Sequence, residues 1–271
     1  MNRMKRLYKA MRMELREHKS SFWVYMVLRV LVIAVLCFQI YDKNFESAFL
    51  SILTLLLLFV PSFVQVTFRI EIPTVLEIIV LLFIFAAQIL GEISGFYVIF
   101  PFWDTMLHTL NGFLAAAIGF SLVDILNKSE KLVFNLSPFF AVMVAFCFSM
   151  TIGAVWEIFE FTMDQIAGFD MQKDTVVQWI SSVNLDPTGG NTPTGMHGIS
   201  EVYVNGIELG LGGYLDIGLY DTMYDLIVNF IGAAIFSTIA YIYLRNRERV
   251  KWIGKIIMRR KKKEEDYLQV E

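Results

Sequence analysis

Charge is what this sequence has least of for its size. Only 18% of its 271 residues are Asp, Glu, Lys or Arg, while 56% are hydrophobic. A soluble domain carries nearer a quarter charged residues, so the ordinary soluble classes are excluded. Cysteine is scarce too. Cys37 and Cys147 both fall inside apolar runs, which supports neither a disulfide framework nor a Cys-based zinc site and predicts small buried hydrophobes. Histidine occurs three times. His18 belongs to a basic segment, and His197 lies in a glycine-flanked polar stretch and reads as a solvent-exposed loop residue; only His108 falls within an apolar segment. Basic residues are nearly missing from 166–220, where Lys173 stands alone against several acids. The net charge of −3 therefore says little, because the charges are sorted by position.

What is present is length of apolar run. Six runs approach the roughly 20 residues that a bilayer core requires: 22–41, 47–63, 73–90, 104–125, 138–163 and 223–244. The first follows a basic segment but is too long for a signal h-region and has no small-x-small cleavage site close behind it, so it reads as a retained span. Residues 1–21 combine Arg3, Lys5, Arg6, Lys9, Arg12, Arg16 and Lys19 with an apolar stripe of Met4, Leu7, Tyr8, Met11 and Leu15. This is the pattern of an interfacial helix on anionic lipid. Arg29, deep in the first span, either snorkels to the headgroups or pairs with an acid. The expected architecture is all-α: a six-span membrane domain over 22–245, a basic tail over 246–271, and a polar loop over about 166–220. In that loop, Val176, Val177, Ile180 and Val183 suggest a short helix around Trp179. Asn205-Gly206 between two apolar triplets signals a hairpin.

Topology follows from the Lys/Arg bias of short loops. Both ends are basic, as is the connection holding Lys128 and Lys131, whereas the 166–220 loop is not. Both termini inside and the long loop outside require an even number of spans, which six satisfies. The expected location is the bacterial inner membrane with both termini cytoplasmic.

That orientation brings polar residues to one side at similar depth. Asp104, His108 and Asn111 open the fourth span; Glu157, Glu160 and Asp164 end the fifth; Asp221, Asp225 and Asn229 open the sixth. Spacings of three and four hold each set near one helix face. Capping and the helix dipole account for Asp104 and Asp221, and solvation for Asp164. They do not account for Glu157, Asp225 or His108, a turn or more inside, where an ionised Asp costs roughly 2.5–3.5 kcal/mol. Three compensations stay open: a bound divalent metal, a proton-sharing network, or a water-filled vestibule. Carboxylates with one imidazole suit zinc, manganese, iron or magnesium.

The ordered set Asp104-x-x-x-His108 with Asn111-Gly112, then Trp156-Glu157-x-x-Glu160, then Asp221-Thr222-x-x-Asp225 with Gly232, resembles the YjdF-like family of uncharacterised bacterial inner-membrane proteins. It is similar, more distantly, to VanZ-like membrane proteins, from which it departs at Thr105, where those proteins often carry Lys. The resemblance covers about 101–241 and implies a cell-envelope role without naming an activity.

The expectation is a metal-dependent envelope enzyme acting on a lipid or polyprenyl phosphate. Asp104, His108, Glu157, Asp221 and Asp225 are its candidate metal ligands, Glu160 its candidate general base, and Asn111, Asp164 and Asn229 its further polar groups. The alternatives are an ion-coupled transporter and a non-catalytic interaction protein. Membrane lipids, anionic lipid at both basic tails above all, are the expected partners, and nucleic acid is not.

Overall fold

A computed structural model describes residues 9–11, 13, 19–127, 136–247 and 249–261. The stripe read over residues 1–21 lies mostly outside these, and Lys128 and Lys131 lie wholly outside. Among the described residues, six helices are long and apolar enough to cross a membrane: Ser20–Tyr41, Phe45–Phe68, Thr74–Ile93, Trp103–Asn127, Pro138–Ala167 and Leu219–Arg245, here spans one to six. Most run past the limits set by hydropathy, because helical turns carrying Asp164 or Asp221 are polar yet keep their backbone hydrogen bonds inside the helix. The chain divides into two compact units, Met1–Gly153 with Val228–Glu271, and Ala154–Ile227.

In the first unit, spans one to three share an apolar cluster built on Tyr25, Leu28, Val32, Leu58, Leu81, Ile84 and Ile89. Arg29 lies against this cluster. Its guanidinium sits 4.8 Å from the Phe59 ring centre, and its Nη1 donates to Tyr25 Oη at 2.9 Å, a cation–π contact plus a hydroxyl. Span two does not end near Pro61. It breaks after Leu57 and resumes at Val60, because proline lacks an N–H and its ring collides with the carbonyl four residues back. Gln65 and Glu77 then join spans two and three: Gln65 Nε2 donates to the Glu77 carboxylate at 3.3 Å, and Gln65 Oε1 accepts from Ile72 N–H. Span three ends in a π-helical stretch, Ala86–Ile93, whose Ala86 carbonyl accepts from Trp103 Nε1 at 3.3 Å.

A second cluster joins span four to the first half of span five and the second half of span six, through Ala116, Ala117, Phe120, Val142, Ala145, Ala233, Phe236 and Ala240. Apolar burial gives no driving force between helices in lipid, so small residues and close van der Waals contact hold such a core together. Cys37 and Cys147 are exposed on their helices, which corrects the expectation of buried thiols: each lies on a face its neighbours leave open. Beyond span six the chain folds back. Ile253 and Ile256 enter the same cluster, Met258 N–H donates to Ser121 Oγ at 3.1 Å, and Arg259–Arg260 pairs antiparallel with Ile70–Glu71.

The second unit holds the end of span five, the start of span six and the residues between. Three short antiparallel pairs lie there: Val176–Val177 with Tyr214–Leu215, Trp179–Ser182 with Thr194–His197, and Tyr203–Val204 with Ile207–Glu208. The helix expected around Trp179 is therefore strand. Exposure alternates along Trp179–Ser182 with period two, and β-branched Val176, Val177 and Ile180 fit a pleated surface with a partner ladder beside it. Asn205 and Gly206 both have positive φ, 54° and 81°, as a two-residue type I′ turn demands.

Candidate functional site

Within the first unit the polar residues descend span four. Asp104 and His108 face each other one turn apart, His108 Nε2 lying 3.5 Å from Asp104 Oδ1. The imidazole is buried and the acid partly open. One turn deeper, Asn111 Nδ2 donates to Asn229 Oδ1 at 2.9 Å, and Asn229 Nδ2 reaches Met150 Sδ at 3.6 Å. Asn229 is 1% exposed, so these contacts are what make its burial tolerable.

Glycine makes that meeting feasible. A Cβ on Gly112 would lie 2.0 Å from the Asn229 carbonyl oxygen, and one on Gly232 would lie 1.9 Å from that of Thr109. The two glycines thus seat spans four and six backbone against backbone, each against the other's helix, and only Gly at both positions permits it. Ser149 Oγ ties span five to this crossing by donating to the Gly112 carbonyl at 2.7 Å. Ser149 and Met150 were not legible as site residues. A serine and a methionine in an apolar run carry no signal of their own until a partner helix is known.

Beside the crossing, spans four and six leave an open apolar groove of about 420 Å³. Phe102, Met106, Leu110, Phe113 and Ile235 line it, with Gly232 at the narrow contact.

The acids of the second unit divide into two kinds. Glu157, Glu160 and Asp225 are buried, at 4%, 7% and 3% exposure, and Glu160 Oε1 accepts from Trp156 Nε1 at 2.8 Å. Asp164 and Asp221 grip the polar loop instead. Asp164 accepts from Met171 N–H at 2.7 Å and Gln172 N–H at 2.9 Å, and Asp221 from Lys173 N–H at 2.8 Å. Asp216, unnoticed in the sequence, accepts from Thr175 N–H and Tyr220 N–H, each at 2.7 Å, and Gln172 reaches Thr222 through its side chain. Charge-assisted bonds to backbone N–H are short and strong. Five such bonds fasten residues 171–175 and the start of span six. The signal available was indirect: acids followed by a turn-rich stretch with exposed N–H groups. His197 stacks on Trp179, ring centres 5.9 Å apart, and is exposed.

This half-buried acidic clamp also perturbs a neighbour. Asp174 has its pKa raised from the ordinary carboxylate value by partial desolvation and by the nearby charges of Asp170, Asp216 and Asp164.

The chain is 31% identical over 96 residues to an uncharacterised protein of Thermotoga maritima, a stretch covering 35% of this chain and 47% of that protein. No solved structure matches it. The family described as predicted membrane proteins (DUF2238) matches residues 24–246, which holds every residue of the candidate site, and this chain belongs to that family.

Proposed function

We propose that this protein is a multi-pass enzyme of the bacterial inner membrane, both termini cytoplasmic, that uses a divalent metal to act on a lipid or lipid-linked phosphate. The observation that carries the reading is the burial of His108 beside Asp104 within a membrane-spanning helix. An imidazole next to a partly open carboxylate is a ready ligand pair, and second-partner hydrogen bonding fixes which ring nitrogen is presented. Asp104 and His108 supply one carboxylate and one imidazole, and Asp225 is assigned as a further carboxylate ligand. Two carboxylates and one imidazole suit zinc, manganese or iron, and magnesium if further oxygens join. Glu157 and Asp221 are assigned as additional ligands, Asp221 with one oxygen already engaged at Lys173 N–H. Glu160, steadied by Trp156, is assigned as general base.

The metal, when bound, supplies Lewis acidity toward a phosphoryl oxygen. The protein's own part is positional. Asp104 orients the His108 ring, the Asn111–Asn229 pair fixes the floor below it, and Glu160 stands ready to take a proton. The apolar groove between spans four and six supports a substrate with a hydrocarbon chain, which would lie in the groove while its phosphate reaches the helix ends above.

Elemental analysis of the purified full-length protein tests the reading. Stoichiometric metal in the wild type, lost in His108→Ala and in Asp225→Asn, is expected. Metal-free wild type after expression in zinc- and manganese-replete medium would sink it.

A further inference from the structure

The first unit holds a polar cavity that the proposed chemistry does not use. It lies where the last turns of spans four and six meet the returning C-terminal segment, measures about 230 Å³, and is lined by Asp124, Tyr243, Gly254, Met258, Arg259 and Arg260 among others. Its walls are fixed by bonds that leave the interior polar. Met258 N–H is held by Ser121, Lys261 N–H donates to the Arg69 carbonyl, and Arg259 pairs with Glu71. The segment's surroundings place it at headgroup depth. It follows a membrane-spanning helix directly, buries Ile253 and Ile256, and exposes Trp252 between Lys251 and Lys255, the mixture that settles at the membrane–water interface.

We infer that this cavity binds the phosphoethanolamine headgroup of a lipid. Charges of both signs line it, spread over two walls. Asp124 lies in the last turn of span four, where the helix dipole favours a cation. Arg260 comes from the opposite, strand-paired wall, beside Arg259 on its Glu71 partner, and suits a phosphate. A primary ammonium can donate to the acid and to the carbonyls around it, whereas a trimethylated amine can donate to neither and a glycerol headgroup carries no charge there. The chemistry therefore selects a zwitterion with a free amine. It does not depend on the metal reading above.

Gly254 supplies a clean test, since a Cβ there meets only Tyr243 Oη, at 3.9 Å. A larger side chain enters the cavity without disturbing the bonds that hold the segment. The full-length protein, delipidated in detergent, would be titrated with phosphatidylethanolamine, phosphatidylcholine and phosphatidylglycerol, with bound lipid counted by native mass spectrometry. Wild type should prefer phosphatidylethanolamine by about tenfold, the worth of one charge-assisted bond. Gly254→Leu and Arg260→Glu should abolish the preference with the thermal midpoint unchanged. Asp124→Asn should cut phosphatidylethanolamine binding while sparing phosphatidylglycerol. Equal retention of the three lipids, or a preference that survives Gly254→Leu, would overturn the assignment.

Discussion

The two units use the same polar residue types to opposite ends. In the first, Asn111, Asn229 and Ser149 satisfy one another and the backbone deep among helices, and two glycines bring those helices into backbone contact. In the second, Asp164, Asp216 and Asp221 reach outward from helix ends and seize the N–H groups of a loop. An acid near a helix end of a membrane protein is thus ambiguous until its neighbours are known: it can be a ligand in waiting or a fastener. The contrast also says which unit tolerates change. A packed crossing has no slack, whereas a half-buried clamp of several parallel bonds loses strength by increments.

The largest effect should come from the crossing. Gly112→Leu drives a side chain into the Asn229 carbonyl, so spans four and six must part. A loss at or beyond the roughly 3 kcal/mol upper range of overpacking is expected, read as a collapsed thermal midpoint and an aggregated elution profile. A well-folded Gly112→Leu protein would mean that the two helices do not touch there. Next is Asn229→Ala, which strands the Asn111 amide and should cost about 1–3 kcal/mol. Adding Asn111→Ala should recover part of it, a coupling that a double-mutant cycle measures. Smaller again is Asp164→Ala in the second unit. Loss of its bonds to Met171 and Gln172 should cost about 2 kcal/mol locally. Faster amide exchange over 171–173, with the amides of the first unit unmoved, would mark it as a fastener.

The sequence made the spans legible because twenty apolar residues have few other uses. Hydropathy missed their ends, since a helical turn may be polar without ceasing to be a helix. The hairpin at Asn205-Gly206 was readable because two successive positive-φ residues name their turn. Trp179 was not: Val176, Val177, Ile180 and Val183 fit a helical face as well as a strand, and only the partner at 194–197 decides. In the site, His108 and Asp225 stood out by the rarity of charge in a span, and both are buried. Asp164 and Asp221 stood out for the same reason, and both also hold the loop, since a carboxylate's role depends on which donors reach it. Asp216 escaped notice for want of an apolar run around it.

The smallest effect concerns pH. Asp174 is mostly exposed, and its pKa is raised by desolvation and by Asp170, Asp216 and Asp164. A carboxyl group raised in the folded state favours folding while protonated. Its contribution is present below its unfolded value and is lost as pH rises through the folded one. Acidification should therefore tighten the 170–176 segment slightly as Asp174 takes up its proton. Hydrogen exchange across the acidic range, corrected for intrinsic rates, would trace that tightening. Asp174→Asn should remove it, with slightly slower exchange at neutral pH. A protein that does not tighten on acidification would show that the acids around Asp174 are too well solvated to repel it.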